Sequence, residues 1–158
     1  METSTKKGLS FGITSGIITT LGLMVGLNSG THSKLAVIGG VLTIAIADAF
    51  SDALGIHVSE EAENKHSHKE VWLATISTFL AKFGFAMTII IPLLLFSLPV
   101  AVGVNIGWGI LVLTVLNYQV TKAQKSKPWK IVFEHLAITV LVVVATNFVG
   151  KGIAAIFN

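Results

Sequence analysis

The chain has 158 residues, of which 53% are hydrophobic and 12% charged, and its mean hydropathy is +0.80. Soluble domains carry about 25% charged residues, so this composition excludes a soluble globular protein and predicts a membrane protein. Cysteine is absent, which excludes disulfides, thiolate metal sites and cysteine nucleophiles. All 11 basic residues are lysine. Arginine, whose guanidinium group binds phosphate through two parallel hydrogen bonds, is missing. We therefore expect no nucleic-acid partner despite the net charge of +3.

Five apolar runs predict an all-α membrane protein that forms a single transmembrane domain over residues 1–158. A hydrocarbon core of ~30 Å needs about 20 apolar residues per helix, so five spans take up most of the chain. The predicted spans are 8–29, 35–58, 71–96, 98–120 and 129–148. The polar residues 59–70, SEEAENKHSHKE, form an acidic, histidine-containing connector, either as a loop or as an extension of span two.

The distribution of lysine predicts the orientation, because short cytoplasmic loops are rich in lysine. With a cytoplasmic N-terminus, the lysines on the cytoplasmic side are Lys6, Lys7, Lys65, Lys69, Lys122, Lys125, Lys127 and Lys130. Only Lys34 and Lys151 are then outside. The sequence contains no organelle address, so we expect a prokaryotic cytoplasmic membrane.

Two aspartates interrupt span two and share one helix face. Asp48 and Asp52 stand at i and i+4, which places them about 40° apart around an α-helix. Ser51, Gly55 and Ser59 fall on the same stripe. Two neighbouring carboxylates can hold a hard divalent cation through oxygen, or they can share a proton. The pattern therefore predicts exchange of a divalent cation for protons.

A structural interpretation competes with this one. Lys82 lies roughly 11 residues from the cytoplasmic end of span three, and Asp48 about 10 from that end of span two, so their depths match. A Lys82–Asp48 ion pair would neutralise the charge and fix the packing of the helices, and Asp52 would then remain unpaired. A small structural or regulatory membrane protein would need no more than this.

Further candidate metal ligands lie at the predicted cytoplasmic end. His57, Glu60 and Glu61 stand at i, i+3 and i+4, and histidine with carboxylate at helical spacing can hold iron(II), manganese or zinc. They form either a vestibule for cations or a solvated connector. Glu134 and His135 lie one turn into span five. Glu134 either closes the aspartate site from another helix or extends to the membrane surface.

Span one is rich in small residues. Gly12 and Gly16, and likewise Gly22 and Gly26, have the four-residue spacing that lets helix backbones approach closely. We expect a homodimer, although the spacing alone does not say whether span one packs within the chain or against a second copy.

The order of these features resembles the vacuolar iron transporter family of five-span divalent metal transporters. FGITSGIITTLGLMVGLNSG resembles that family's first helix, and ADAFSDALGIHVSEEAE resembles its second. The family's first-helix aspartate falls on Ser15, its second-helix methionine on Asp52, and its Gly-Glu-Tyr on residues 55–57. The long metal-binding insertion that larger members carry after span two shrinks here to residues 59–70.

The resemblance implies a dimeric exchanger that moves iron(II) or manganese out of the cytoplasm against protons, with metal as the substrate and no cofactor. It adds Ser15 to the candidate metal ligands. A carboxylate at position 52 in place of a thioether favours harder metals such as manganese. We do not expect an enzyme, because Asp48 and Asp52 share one helix, about 6 Å apart along it. An uncoupled channel lined by the same carboxylates remains an alternative to the exchanger.

Overall fold

The computed structural model describes residues 3–123 and 127–157. It consists of five helices, which are α1 (Thr3–Thr31), α2 (Lys34–Glu63), α3 (His68–Leu95), α4 (Leu98–Ala123) and α5 (Pro128–Phe157). Helix accounts for 94% of the structure, and each helix is long and apolar enough to cross a membrane. The chain is thus an all-α, multi-pass membrane protein. Lys125 of the basic turn lies outside the described residues.

The turn between α2 and α3 is shorter than the polar connector of the sequence. α2 continues to Glu63, and Asn64 ends it in the left-handed conformation, with φ 50° and its N–H donating to Glu61 O. Ser67 then caps α3: its side chain accepts from the Glu70 N–H, and its own N–H donates to the Glu70 carboxylate. This reciprocal capping box satisfies two free donors and fixes where α3 begins. Most of the connector is therefore a helical extension.

α1 is the central helix and packs against all four others. The buried core forms around it, and most of the large side chains that remain exposed are apolar, as expected of surfaces that face lipid. The core residues from α1 to α4 are Ile17, Leu21, Met24, Val25, Val37, Val41, Phe85, Ile89, Leu93, Ala101, Val102 and Leu113.

Glycines give α1 two close contacts within the same chain. A Cβ on Gly12 would meet the backbone of Thr78 in α3, whereas a Cβ on Gly26 would meet that of Thr146 in α5. Gly150 of α5 lies directly against Gly30 at the far end of α1. The small residues of α1 therefore serve packing inside the chain, on α3 with one half of the helix and on α5 with the other.

The contact between α1 and α5 gives a prediction with a matched control. A Cβ on Gly150 would overlap the carbonyl oxygen of Gly26, whereas a Cβ on Gly152 would meet nothing within 4 Å. We expect Gly150→Ala to lower the free energy of unfolding by roughly 1–3 kcal/mol through overpacking. Gly152→Ala should leave it unchanged or raise it by up to about 1 kcal/mol. Unfolding in detergent, followed by circular dichroism, measures both; equal stabilities would contradict the close α1–α5 contact.

Candidate functional site

The ammonium group of Lys82 lies among three oxygen atoms from two other helices. Its Nζ is 2.5 Å from Asp52 Oδ2, 2.6 Å from Asp48 Oδ2 and 2.9 Å from Ser15 Oγ. Ser15 Oγ in turn donates to Asp52 Oδ2 at 2.6 Å. The four side chains form one connected cluster where α1, α2 and α3 meet, and we call it the Lys82 cluster.

Local helix geometry accounts for the cluster. Asp48 and Asp52 are one turn apart, so both carboxylates project from the same side of α2. Gly16 of α1 lies against the backbone and the stem of Lys82, where a Cβ would come within 3.2 Å of Lys82 Cγ. Because Gly16 has no side chain, α3 approaches α1 closely and the lysine stem passes beside it to reach Ser15.

The structure shows the Lys82–Asp48 pair of the structural interpretation, but it corrects the expectation that Asp52 would then stay unpaired. Asp52 is held by Lys82 and by Ser15. Sequence depth gave the level of each group in the membrane but not the rotation of its helix, and the rotation decides which carboxylates reach the lysine.

Burial within the Lys82 cluster is uneven. The Lys82 side chain is 2% exposed, whereas those of Asp48 and Asp52 are 24% and 19% exposed. The lysine thus lies inside the protein, and the carboxylates lie between it and the outer face of α2. Counting two carboxylates and one ammonium in their ordinary ionised forms, the cluster carries a net charge of −1. Asp48 Oδ2 is buried, and among the described residues its close contact is with Lys82 Nζ at 2.6 Å, outside hydrogen-bond geometry.

The structure does not gather the predicted ligands near the turn into one group. Glu60 is fully buried and forms an ion pair with Lys7 of α1, and its Oε2 is 3.4 Å from His66 Nε2. His57 points elsewhere, with Nδ1 2.9 Å from Thr75 Oγ1 and its ring edge against Trp72. His57 and Glu61 remain neighbours, 3.6 Å apart.

The helix period explains this separation. Residues three apart on a helix are displaced by about 60° around its axis, so neighbours in the pattern can face different helices. Lys7 is the partner that sequence reasoning missed. Its only signal was a lysine next to the start of span one, which equally suits a membrane boundary.

Span five contributes no ligand to the Lys82 cluster in this structure. Glu134 is half-exposed and lies 3.8 Å from Lys130, one turn away on the same helix. His135 Nδ1 is 2.7 Å from Asn117 Oδ1, which joins α5 to α4. Within residues 3–123 and 127–157, moreover, no three histidine, aspartate or glutamate side chains are grouped closely enough to hold a metal ion. Of the predicted ligands, Asp48, Asp52 and Ser15 are brought together around Lys82 Nζ.

Comparison with known families finds a match over α1, α2 and the first residues of α3. The model of the VIT family matches residues 8–72. The match supports a member of the vacuolar iron transporter family. This confirms the resemblance seen in the sequence, and the matched segment contains Ser15, Asp48 and Asp52 but ends before Lys82. No curated protein matches the chain. The family is one of transporters, which is consistent with a protein that is not an enzyme.

Proposed function

We propose that the protein exports iron(II) or manganese from the cytoplasm in exchange for protons. The family supports membrane transport of metal ions in general, and the finer statement rests on the chemistry of the Lys82 cluster. In this proposal Asp52 and Asp48 bind the metal, with Ser15 as a neutral oxygen ligand. His57 and Glu61 lie at the cytoplasmic approach, whereas Glu60 is buried against Lys7 and Glu134 lies beside Lys130.

The observation that carries the proposal is the set of oxygens around Lys82 Nζ. Three oxygens from two helices already hold one positive charge at 2.5–2.9 Å. A divalent cation binds oxygen at somewhat shorter distances, about 2.0–2.6 Å, so small side-chain movements would adapt the same set. Carboxylate and hydroxyl oxygens suit manganese and other hard cations.

Exchange would follow from the charge of the two carboxylates. Asp48 and Asp52 bind a metal ion only when they are ionised, so a proton on either carboxylate competes with the metal for the same oxygens. Metal and protons would thus occupy the same groups in turn. An uncoupled channel would lack this competition.

A second candidate function is supported by the same ion pairs. Lys82 neutralises one of the two aspartate charges, and such a buried pair can serve only to hold three helices together. The protein would then be a structural or regulatory membrane protein that transports no metal. The transport experiment below separates the two.

We expect Asp52→Asn to abolish metal-dependent proton movement. The amide keeps the size of the side chain but removes a charged ligand and a proton acceptor. The measurement uses proteoliposomes with an internal pH dye, to which manganese, iron(II), zinc, cobalt, magnesium or calcium is added. Glu63→Gln is the matched control, because it removes a carboxylate from the same helix, at the surface, where Glu63 pairs with Lys7.

Proton movement that requires both metal and Asp52, with Glu63→Gln close to the unsubstituted rate, supports the exchanger and ranks its substrates. Metal uptake without proton movement would favour the channel instead. If well-folded protein moves neither metal nor protons, transport is wrong and the structural function takes its place.

We also propose that the protein lies in a prokaryotic cytoplasmic membrane with its N-terminus in the cytoplasm. The excess of lysine at the N-terminal end of the bundle supports this orientation. Because the chain has no cysteine, a single introduced cysteine reports its own side. In intact cells, a membrane-impermeant maleimide should label Lys34→Cys, at the outer end of α2, and should not label Lys6→Cys. The opposite pattern would invert the topology and, with it, the direction of export.

The outer face of α2 supports the proposed homodimer. Small residues follow one another at four-residue spacing along it, and all are exposed: Gly39, Thr43, Ala47, Ser51, Gly55 and Ser59. A Cβ on Gly39 or Gly55 would meet nothing within 4 Å. Asp48 and Asp52 border this stripe, and about one-fifth of each side chain is exposed. Charge exposed to lipid is costly. A second copy packed against the stripe would shield both aspartates from lipid and leave them at the boundary between the two copies.

The dimer predicts a cross-link that depends on position. Ser51→Cys should form a disulfide-linked dimer on mild oxidation in the membrane, because the stripe would meet its own copy across a two-fold axis. Val144→Cys, on the exposed face of α5, is the control that should remain a monomer on non-reducing gels. Cross-linking through position 144 but not through position 51 would show that the dimer interface does not lie on α2.

A further inference from the structure

Lys82 is buried more completely than the carboxylates that it contacts. Its side chain is 2% exposed, its stem lies against Gly16, and its ammonium group contacts Ser15, Asp48 and Asp52. A lysine is costly to bury unless its charge is paired. The ammonium group therefore remains within the carboxylate pair for as long as nothing else neutralises its two partners.

The ammonium group satisfies this site only in part. It donates to Ser15 Oγ and to Asp52 Oδ2, but Asp48 Oδ2 is left without a hydrogen bond, and one charge of the pair stays uncompensated. A metal ion has no fixed bonding direction in the way an N–H group does. A divalent ion between the two aspartates could contact both Oδ2 atoms and would attract the carboxylates with twice the charge of the ammonium group.

We propose that Lys82 is a tethered competitor, which occupies the Asp48–Asp52 pair in the metal-free protein and must be displaced by the transported ion. The inference rests on the proposed function, since it assumes that these carboxylates bind the metal. A tethered group acts at an effective concentration of at least the millimolar order. Sodium or potassium carries the same charge as the ammonium group and gains nothing by replacing it, whereas a divalent ion does. Lys82 would thus reject monovalent ions and keep the empty site neutralised.

The flexibility of lysine makes displacement feasible. Its ammonium is a point charge on a four-carbon stem with rotatable bonds, and the cluster is open towards α2, where the aspartates are about one-fifth exposed. An ion that arrives from that side meets the carboxylates first and the lysine behind them. The competitor can therefore withdraw without blocking the ion.

The test measures binding of manganese(II) to the full chain in detergent, by electron paramagnetic resonance of the free ion and by thermal unfolding. We expect Lys82→Met to unfold at a lower temperature than the unsubstituted protein when metal is absent. Manganese should bind this variant at least tenfold more tightly and restore its unfolding temperature. Sodium at 100 mM, about the ionic strength of ordinary buffers, should weaken binding to the variant but leave the unsubstituted protein unaffected. Lys34→Met is the control, since that lysine donates to the carbonyl oxygens of Leu94 and Phe96 and contacts no carboxylate among the described residues.

A second pair of variants keeps the test valid if Lys82→Met does not fold. Asp48→Asn and Asp48→Asn/Lys82→Met have the same remaining ligands and differ only in the lysine, and neither leaves two unpaired carboxylates. The double variant should bind manganese at least tenfold more tightly than the single one. Equal affinities of the single and double variants for manganese would show that Lys82 does not compete with the ion.

The outcomes also separate this inference from the proposed function. If the unsubstituted protein exchanges metal for protons through Asp52 and removal of Lys82 brings no gain in affinity, only the competitor is overturned. If no variant binds manganese and no metal moves protons in proteoliposomes, both fail. A Lys82→Met protein that is destabilised and not rescued by manganese would mark the ion pairs as structural.

Discussion

The burial of one ammonium group constrains the arrangement of α1, α2 and α3. Electrostatic interactions strengthen as the dielectric constant falls, so an unpaired charge inside a membrane protein is far more costly than one in water. Lys82 can be 2% exposed only because Asp48 and Asp52 reach it from α2 and Ser15 reaches it from α1. The relative heights and rotations of these three helices must bring the four side chains together, and Gly16 provides the space in which they meet.

Close packing of α1 on two sides leaves α2 with a free face. α1 uses its glycines against α3 along one half and against α5 along the other, and it therefore lies at the centre of the bundle. α2 packs against α1 and α3, so its small residues from Gly39 to Ser59 remain on the outside. The same geometry that buries Lys82 thus presents its carboxylate partners at the outer surface of the chain.

The sequence predicts the helices well and the site only in part. Hydropathy and length identify five spans because a membrane leaves few alternatives to the apolar helix. Depth is also predictable, since a helix rises 1.5 Å per residue, and it placed Lys82 level with Asp48. Rotation was not predictable, because the lipid-facing sides are as apolar as the buried ones. Asp52 and Glu134 show the consequence. Asp52 is paired with Lys82, whereas Glu134 stays on the exposed side of α5 beside Lys130.

The structural and transport interpretations use the same ion pairs, and the order in which the charges are buried favours the transport proposal. A pair that served packing alone would gain most from covering both partners equally, because an exposed ion pair contributes little to stability. Here the cation is covered almost completely, while each aspartate keeps about one-fifth of its side chain exposed. In the proposed transporter, this arrangement would let the carboxylates meet an arriving cation while the lysine still neutralises them from the inside. It is the order of burial expected of a site whose occupant can be replaced.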